Sequence, residues 1–281
     1  MIDVRLKEKL GFASLLIATL LVVVPVILII YLIISKGWTA ITWDFLLSMP
    51  RDGMRAGGIF PAIIGTFYLV IGSIAFSLPI GVMAAIYLNE YAKDNFLTRM
   101  INLAIINLAG VSSVVYGLFG LSLFVIFFRF GVSIISGSLT LGIMTLPVII
   151  TTTREALRAV PKSFREVSFS LGTTKWQTIR HSVLPFALPG ILTGAILSIG
   201  RVAGETAPIL FTVAAFYLPN IPKSAFDQAM ALPYHLYIIS TQIPNISESY
   251  RYGTALVLVG LVVIMNLAAI IIRSKFRRKK W

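Results

Sequence analysis

Apolar residues fall along this chain in six runs, at 11–34, 60–88, 101–128, 132–152, 188–216 and 254–273, separated by more polar stretches. A helix needs roughly 20 mainly apolar residues to cross the hydrocarbon core of a bilayer. Each run meets that length, so the pattern predicts an all-α integral membrane protein with six transmembrane helices. Only Arg129, Phe130 and Gly131 separate the third run from the fourth, which predicts a tight turn. The first run is too long for the apolar part of a cleaved leader and carries no small-x-small site, so it is expected to stay as a span. Pro79, Pro147 and Pro208 fall inside runs and predict kinks, with neighbouring groups satisfying the freed carbonyls. Gly190 with Gly194, and Gly200 with Gly204, have the four-residue spacing that lets helix backbones approach closely.

Two polar stretches carry more than a connector needs. Between the first two runs, Trp38, Ile41, Phe45 and Leu46 recur at helical spacing, which predicts a short interfacial helix with Trp38 and Trp43 at headgroup level. Between the last two, residues 217–253 contain prolines at 219, 222, 233 and 244, with short helices expected at 225–232 and 234–241. Loops of this length usually have a role of their own; contact with an external partner fits these residues, and so does simple gating or packing. No internal repeat is visible. Where one chain builds both halves of a transport path, the halves are related; here the second half is expected from another polypeptide.

Composition narrows the class. The chain is 57% hydrophobic and 12% charged, with a net charge of +13. Sorted on a six-span chain with its N-terminus inside, three Lys or Arg precede the first span, two follow the second, six lie in the loop after the fourth and six follow the last. Six fall on the other side and one, Arg201, falls within a span. This asymmetry is the bias that orients membrane proteins, so both termini are expected in the cytoplasm. The tail RSKFRRKKW then suits an anionic lipid surface rather than nucleic acid. The chain contains no cysteine, and His181 and His235 are expected on opposite sides of the membrane. Thiolate and histidine metal sites are therefore not expected, nor is any cofactor. There is no HExxH, GxSxG or Gly-Lys dipeptide, so neither hydrolase nor P-loop chemistry is indicated.

The loop at 153–185 is too polar for lipid and too patterned for disorder. Residues 163–171 predict one short helix closed by Gly172, and Thr174 with Gln177 predict a capping box for a second. On that second helix Trp176, Ile179 and Val183 share a face beside Lys175 and Arg180, and Leu184–Pro185 is expected to stop it. A partner-docking helix and a helix lying on the membrane surface both fit these residues. The run EVSFSLGTTKWQTIRHSVLP resembles the EAA loop of ABC importer permeases, with Glu166, Gly172, Leu184 and Pro185 at matching spacing. Val167 and Ser168 stand where that pattern has alanines, and Ser182 where it usually has an aliphatic residue. The resemblance implies that Glu166, Gly172, Thr174, Lys175, Trp176, Leu184 and Pro185 serve ATPase coupling.

A second site lies in the fifth run, at GRVAGETAP. Arg201 and Glu205 are four apart and are expected on one helix face. Ionised groups inside a bilayer are costly and face a bundle interior or a water-filled path. Arg suits bidentate contact with an oxyanion; a structural ion pair that fixes helix packing fits the same residues. The segments GRVAGETAPILFT, NLAGVSSVVYGLFGL and ALPYHLY resemble the permeases of phosphate-specific (Pst) importers, PstA-type rather than PstC-type. Ser112 stands where that family usually has proline. Membership implies a type I importer permease (MetI-like) fold in a bacterial or archaeal cytoplasmic membrane, with Arg201, Glu205 and Thr206 on the path of inorganic phosphate. The partners it implies are a PstC-type permease, two copies of a cytoplasmic ATPase subunit and an extracytoplasmic phosphate-binding protein. Expected segments are a peripheral span with an interfacial segment at 1–59, a permease core at 60–273 containing the coupling loop at 153–186, and a basic tail at 274–281. An importer of another oxyanion (phosphonate, sulfate, molybdate) would share the loop; an ATP-independent anion channel or carrier would leave it without a purpose.

Overall fold

The computed structural model describes residues 4–278. Its long helices are α1 (Val4–Gly37), α3 (Phe60–Ile86), α6 (Ile134–Arg158), α9 (Leu184–Gly204) and α12 (Glu248–Arg278). Between α1 and α3 lie the five-residue α2 (Trp43–Leu47) and a hairpin of β1 (Pro50–Arg51) with β2 (Ala56–Gly57). The expected interfacial helix is therefore two short pieces, a 3-10 turn at Trp38–Ala40 and α2. Thr42 divides them, because its hydroxyl caps α2 by accepting from the Phe45 amide. Phe45 is buried against Tyr250, while Trp38 and Trp43 are exposed.

The third apolar run is a broken crossing rather than one helix. It forms α4 (Phe96–Ala109) and α5 (Ser113–Gly120, continued as a π-helical turn to Phe127), bent by 105°. Ser112 restarts the helix by capping the Val114 amide, and the Tyr116 hydroxyl crosses the bend to donate to the Leu108 carbonyl at 2.8 Å. The segment nevertheless traverses the bundle. The contacts Gly72–Ser138 and Gly81–Ile149 show that α3 and α6 run parallel, so the chain must return between them.

The core forms where α6 is enclosed by α3 and α9. Gly190 lies against Ala156 and Gly194 against Thr152, so the first glycine pair is a packing motif. Gly200 faces Asn266 of α12, but Gly204 faces open space and the second pair is not one. Helix α9 also departs from expectation at both ends. It is continuous with α8 (Lys175–Thr178) through a π-turn at Ile179–Val183, in which the Leu184 amide donates to the Ile179 carbonyl. Pro185 lacks an N–H and its ring would press on the carbonyl four residues back. The wide turn removes that clash, so the proline does not stop the helix. At the other end Pro208 does more than kink: α9 ends at Gly204, Glu205 is extended, and a separate α10 (Ala207–Thr212) follows.

Residues 213–247 form a packed cap at the end of the bundle where α3 and α6 begin. The stretch 225–232 is not a helix; its carbonyls complete other elements. Asp227 and Ala225 accept from the first-turn amides of Ile134 and Ile135, and across a bridge the Ala229 amide donates to the Val213 carbonyl while the Ala229 carbonyl accepts from Ala215. Helix α11 (Leu232–Thr241) follows as expected, anchored by the Leu232 amide on the Thr66 hydroxyl. Helix α12 runs antiparallel to α9, with the Arg273 guanidinium donating to the Thr193 hydroxyl. It carries the chain through the first part of the basic tail; residues 279–281 lie outside the described residues. The path leaves both described ends at the end of the bundle opposite α11.

Two stability outcomes follow. Gly194→Val forces a branched side chain onto Thr152 and should cost about 1–3 kcal/mol, read as a lower thermal midpoint in detergent. His235 on α11 is buried with neither ring nitrogen hydrogen-bonded, and burial pushes its pKa down from 6.5 to about 4. An unfolded chain therefore takes up this proton first as pH falls. The corresponding stability is fully present above pH 6.5 and is lost progressively towards pH 4. At pH 5 the loss is about 2 kcal/mol, and His235→Leu should remove that part of the acid sensitivity of the midpoint.

Candidate functional site

Two regions hold the residues singled out from sequence. The first is the loop between α6 and α9. Helix α7 (Lys162–Ser170) ends as the spacing requires: Gly172 adopts φ +76° and its amide donates to Phe169. No neighbour crowds its α-carbon, so glycine is needed here for conformation alone. Thr174 and Gln177 form the complete capping box that starts α8. A ring of three hydroxyls, Ser168, Thr173 and Thr178, closes the turn with separations of 2.8–3.0 Å. Ser168, which replaces an alanine of the EAA pattern, is thus the hub that makes α7, the turn and α8 one unit.

The expected shared face of Trp176, Ile179 and Val183 is divided. Ile179 and Val183 are fully buried in an apolar cluster with Ile86, Leu157, Val160, Ala187 and Ile191, against which Leu184 also packs. Trp176 points outward and is 52% exposed. It is joined by Val167, Phe169 and Leu171, so the outward apolar surface lies on the tip of the unit rather than along α8. Glu166 is exposed beside it and lines a cleft of about 380 Å³ with Asn89, Arg158 and Lys162. Lys175 lies over the Tyr91 ring, 4.8 Å from its centroid. Pro185 sits in the first turn of α9.

Sequence reasoning missed the strongest polar contact of this region. The π-turn Tyr87–Tyr91 extends α3, so Glu90 lies within a long spanning helix. Arg165 grips Glu90 through Nη2–Oε1 at 2.7 Å and Nε–Oε2 at 3.3 Å. The same guanidinium donates to the carbonyls of Val160 and Leu157 at 3.1 and 3.0 Å. Side-chain exposure is 19% for Arg165 and 8% for Glu90. Removing one partner of a buried pair strands the other, at a cost of about 3–5 kcal/mol. The only sequence signal was a lone Glu two residues beyond an apolar run.

The second region is the break after α9. Arg201 occupies the last turn of α9, where a cation also complements the helix dipole. Glu205 lies past the end of that helix, in extended backbone, yet the two still meet at Nε–Oε1 3.5 Å. The contact is long, and side-chain exposures of 33% and 18% leave both groups open to a ligand. Glu205 is the one hydrogen-bond partner of Arg201 among the described residues, which leaves the terminal guanidinium nitrogens free to bind an anion. Thr206 is half-buried between α9 and α10. The break of the third crossing comes to the same place. Gly117 of α5 packs on Ala207 and Pro208, and buried Tyr116 lies within electrostatic reach of Arg201. His181 and His235 lie at opposite ends of the bundle, and no cluster of metal-ligating side chains occurs among the described residues.

Comparison with known proteins agrees with this architecture. Residues 77–280 match the family described as "Binding-protein-dependent transport system inner membrane component". The chain is 34% identical over 281 residues to the phosphate transport system permease protein PstA 1 of Mycobacterium tuberculosis, covering 98% of this chain and 90% of that one. It is 36% identical over 274 residues to PstA of Mycobacterium leprae, covering 95% and 89%. A probable ABC transporter permease protein of Bacillus subtilis, YqgI, is 35% identical over 251 residues, covering 84% and 85%. Among solved structures, a bacterial alginate ABC transporter superposes over 94% of this chain and 96% of that chain with a TM-score of 0.66 at 15% identity. The inward-facing MetNI methionine transporter superposes over 78% and 94% with a TM-score of 0.59 at 17% identity. These last two bear on fold alone. The chain belongs to the binding-protein-dependent transport system inner membrane components, as an ABC transporter permease in the group that includes the PstA proteins.

Proposed function

We propose that this chain is the PstA-type permease subunit of an ATP-driven importer of inorganic phosphate. It lies in the bacterial or archaeal cytoplasmic membrane with both termini inside. Residues 60–273 form the permease core, and the span at 1–59 packs peripherally. A PstC-type permease supplies the other half of the path, two ATPase subunits bind on the cytoplasmic side and a phosphate-binding protein delivers substrate outside. The chain itself is not a catalyst; it converts ATPase closure into rearrangement of its spans.

Full-length identity of 34–36% to phosphate permeases carries this reading. The geometry supplies its chemistry. Arg201 sits where two broken helices meet and its guanidinium edge is unfilled, as contact with a tetrahedral oxyanion requires. Glu205 holds the side chain loosely and lowers the local charge, which favours release over tight capture. The outward Trp176, Leu171 and Val167 suit an ATPase surface, because buried aromatic anchors dominate interface energies. The cap at 213–247 is the surface offered to the binding protein.

Arg201→Gln should reduce phosphate uptake to background while the complex still assembles and its ATPase subunit co-purifies; near-normal uptake would remove Arg201 from the path. Trp176→Ala should weaken ATPase recruitment at least tenfold, or by about 1.4 kcal/mol, in pull-downs from detergent. Gly172→Ala places a side chain at φ +76° for about 1–2 kcal/mol. It should lower coupled uptake more than it lowers the amount of protein in the membrane.

A further inference from the structure

The unit at 162–178 is joined to the spans in an unusual way. No side chain of α7 belongs to a buried apolar cluster; Phe164, Val167 and Phe169 all face outward. Besides the helical continuity of α8 with α9, contacts of three side chains tie the unit to the spans. Phe164 meets Phe186 at the start of α9, with ring centroids 5.0 Å apart. Arg165 grips Glu90, and Lys175 covers Tyr91. The last two contacts come from different helices of the unit and land on the same π-turn, Tyr87–Tyr91, at the end of α3.

An assembly of this kind has a mechanical consequence. The hydroxyl ring of Ser168, Thr173 and Thr178 makes the unit internally stiff. Apolar contacts slide at low cost because they are non-directional. A guanidinium held by a carboxylate and two backbone carbonyls has one geometry, and moving it would strand buried polar groups. A buried ion pair adds little net stability compared with apolar packing, so its value lies in fixing one arrangement. Resting on the reading of the unit as the ATPase-coupling element, we propose that the Arg165–Glu90 clamp is the link through which this unit moves α3. Arg165 and Glu90 are positioning residues for transport. They touch neither phosphate nor ATP, and they stay paired as the unit and the end of α3 move together. Glu90 itself lies within one π-turn, at 87–91, and α8 leads into another, at 179–183, each of which keeps its helix continuous.

The test uses the whole complex, both permeases with the ATPase and phosphate-binding protein, reconstituted in liposomes. Glu90→Gln keeps shape but removes the charge; Arg165→Lys keeps the charge but cannot fill the carboxylate and both carbonyls. Each variant keeps hydrogen bonds to the group it faces, and Arg165 stays partly accessible to solvent, so both should lose less stability than a truncation. Both should co-purify with the ATPase at wild-type stoichiometry and retain its basal turnover. Stimulation by phosphate-loaded binding protein should fall at least tenfold, with uptake falling alongside it and half-saturation by the binding protein changing less than twofold. Stimulation within twofold of wild type in either variant would overturn the clamp. So would loss of the ATPase or of assembled complex, because the pair would then hold the structure together rather than pass motion. If the wild-type complex itself imports no phosphate but its ATPase responds to another loaded binding protein, the substrate reading fails and the clamp is tested with that stimulus.

Discussion

The structure rests on one constraint: a backbone inside a bilayer has no water to satisfy it, so every interruption of a helix must be closed by the chain itself. Besides the π-turn that ends the third crossing, four interruptions occur among the described residues, and each has an identifiable closure. Ser112 caps the restart of the third crossing, and Tyr116 spans its bend. The π-turns at 87–91 and 179–183 keep their helices continuous by passing hydrogen bonds one residue further back. The break at Glu205 is the least closed, with a 3.5 Å ion pair and a guanidinium that has donors to spare. The best-closed interruptions hold the fold together, and the break at Glu205 is the one that leaves guanidinium donors unfilled.

The same accounting separates the two polar pairs. Arg165–Glu90 is short, two-pronged and buried, and its guanidinium also satisfies two carbonyls. Arg201–Glu205 is long, single and more exposed. One fixes a geometry; the other leaves a charge available.

Much of this was legible in the sequence, and the failures share a cause. The run lengths located the spans, and the Gly172 and Thr174–Gln177 signals placed the turn and cap of the unit at 162–178, because these depend on local chemistry. Hydrophobicity reports where a segment can sit but not whether its helix is continuous. The 105° bend at residues 110–112 and the break at Glu205 were therefore hidden inside apolar runs. Pro185 and Pro208 illustrate the limit: identical chemistry is absorbed by a π-turn in one case and breaks the helix in the other. Predicted segments 225–232 failed for a related reason, since their carbonyls serve the amides of α6. The Glu90 clamp was missed because its partner lies 75 residues away, a pairing that only the parallel packing of α3 on α6 creates.

The chain acts as a permease subunit in the ATP-driven import of inorganic phosphate. The direct measurement is uptake of radiolabelled phosphate into liposomes holding the complete complex, with ATP on the side of the ATPase and loaded binding protein on the other. The account predicts ATP-dependent accumulation that excess sulfate or molybdate does not displace and that vanishes when this chain is omitted. Accumulation without ATP, or uptake of another oxyanion in preference to phosphate, would contradict it.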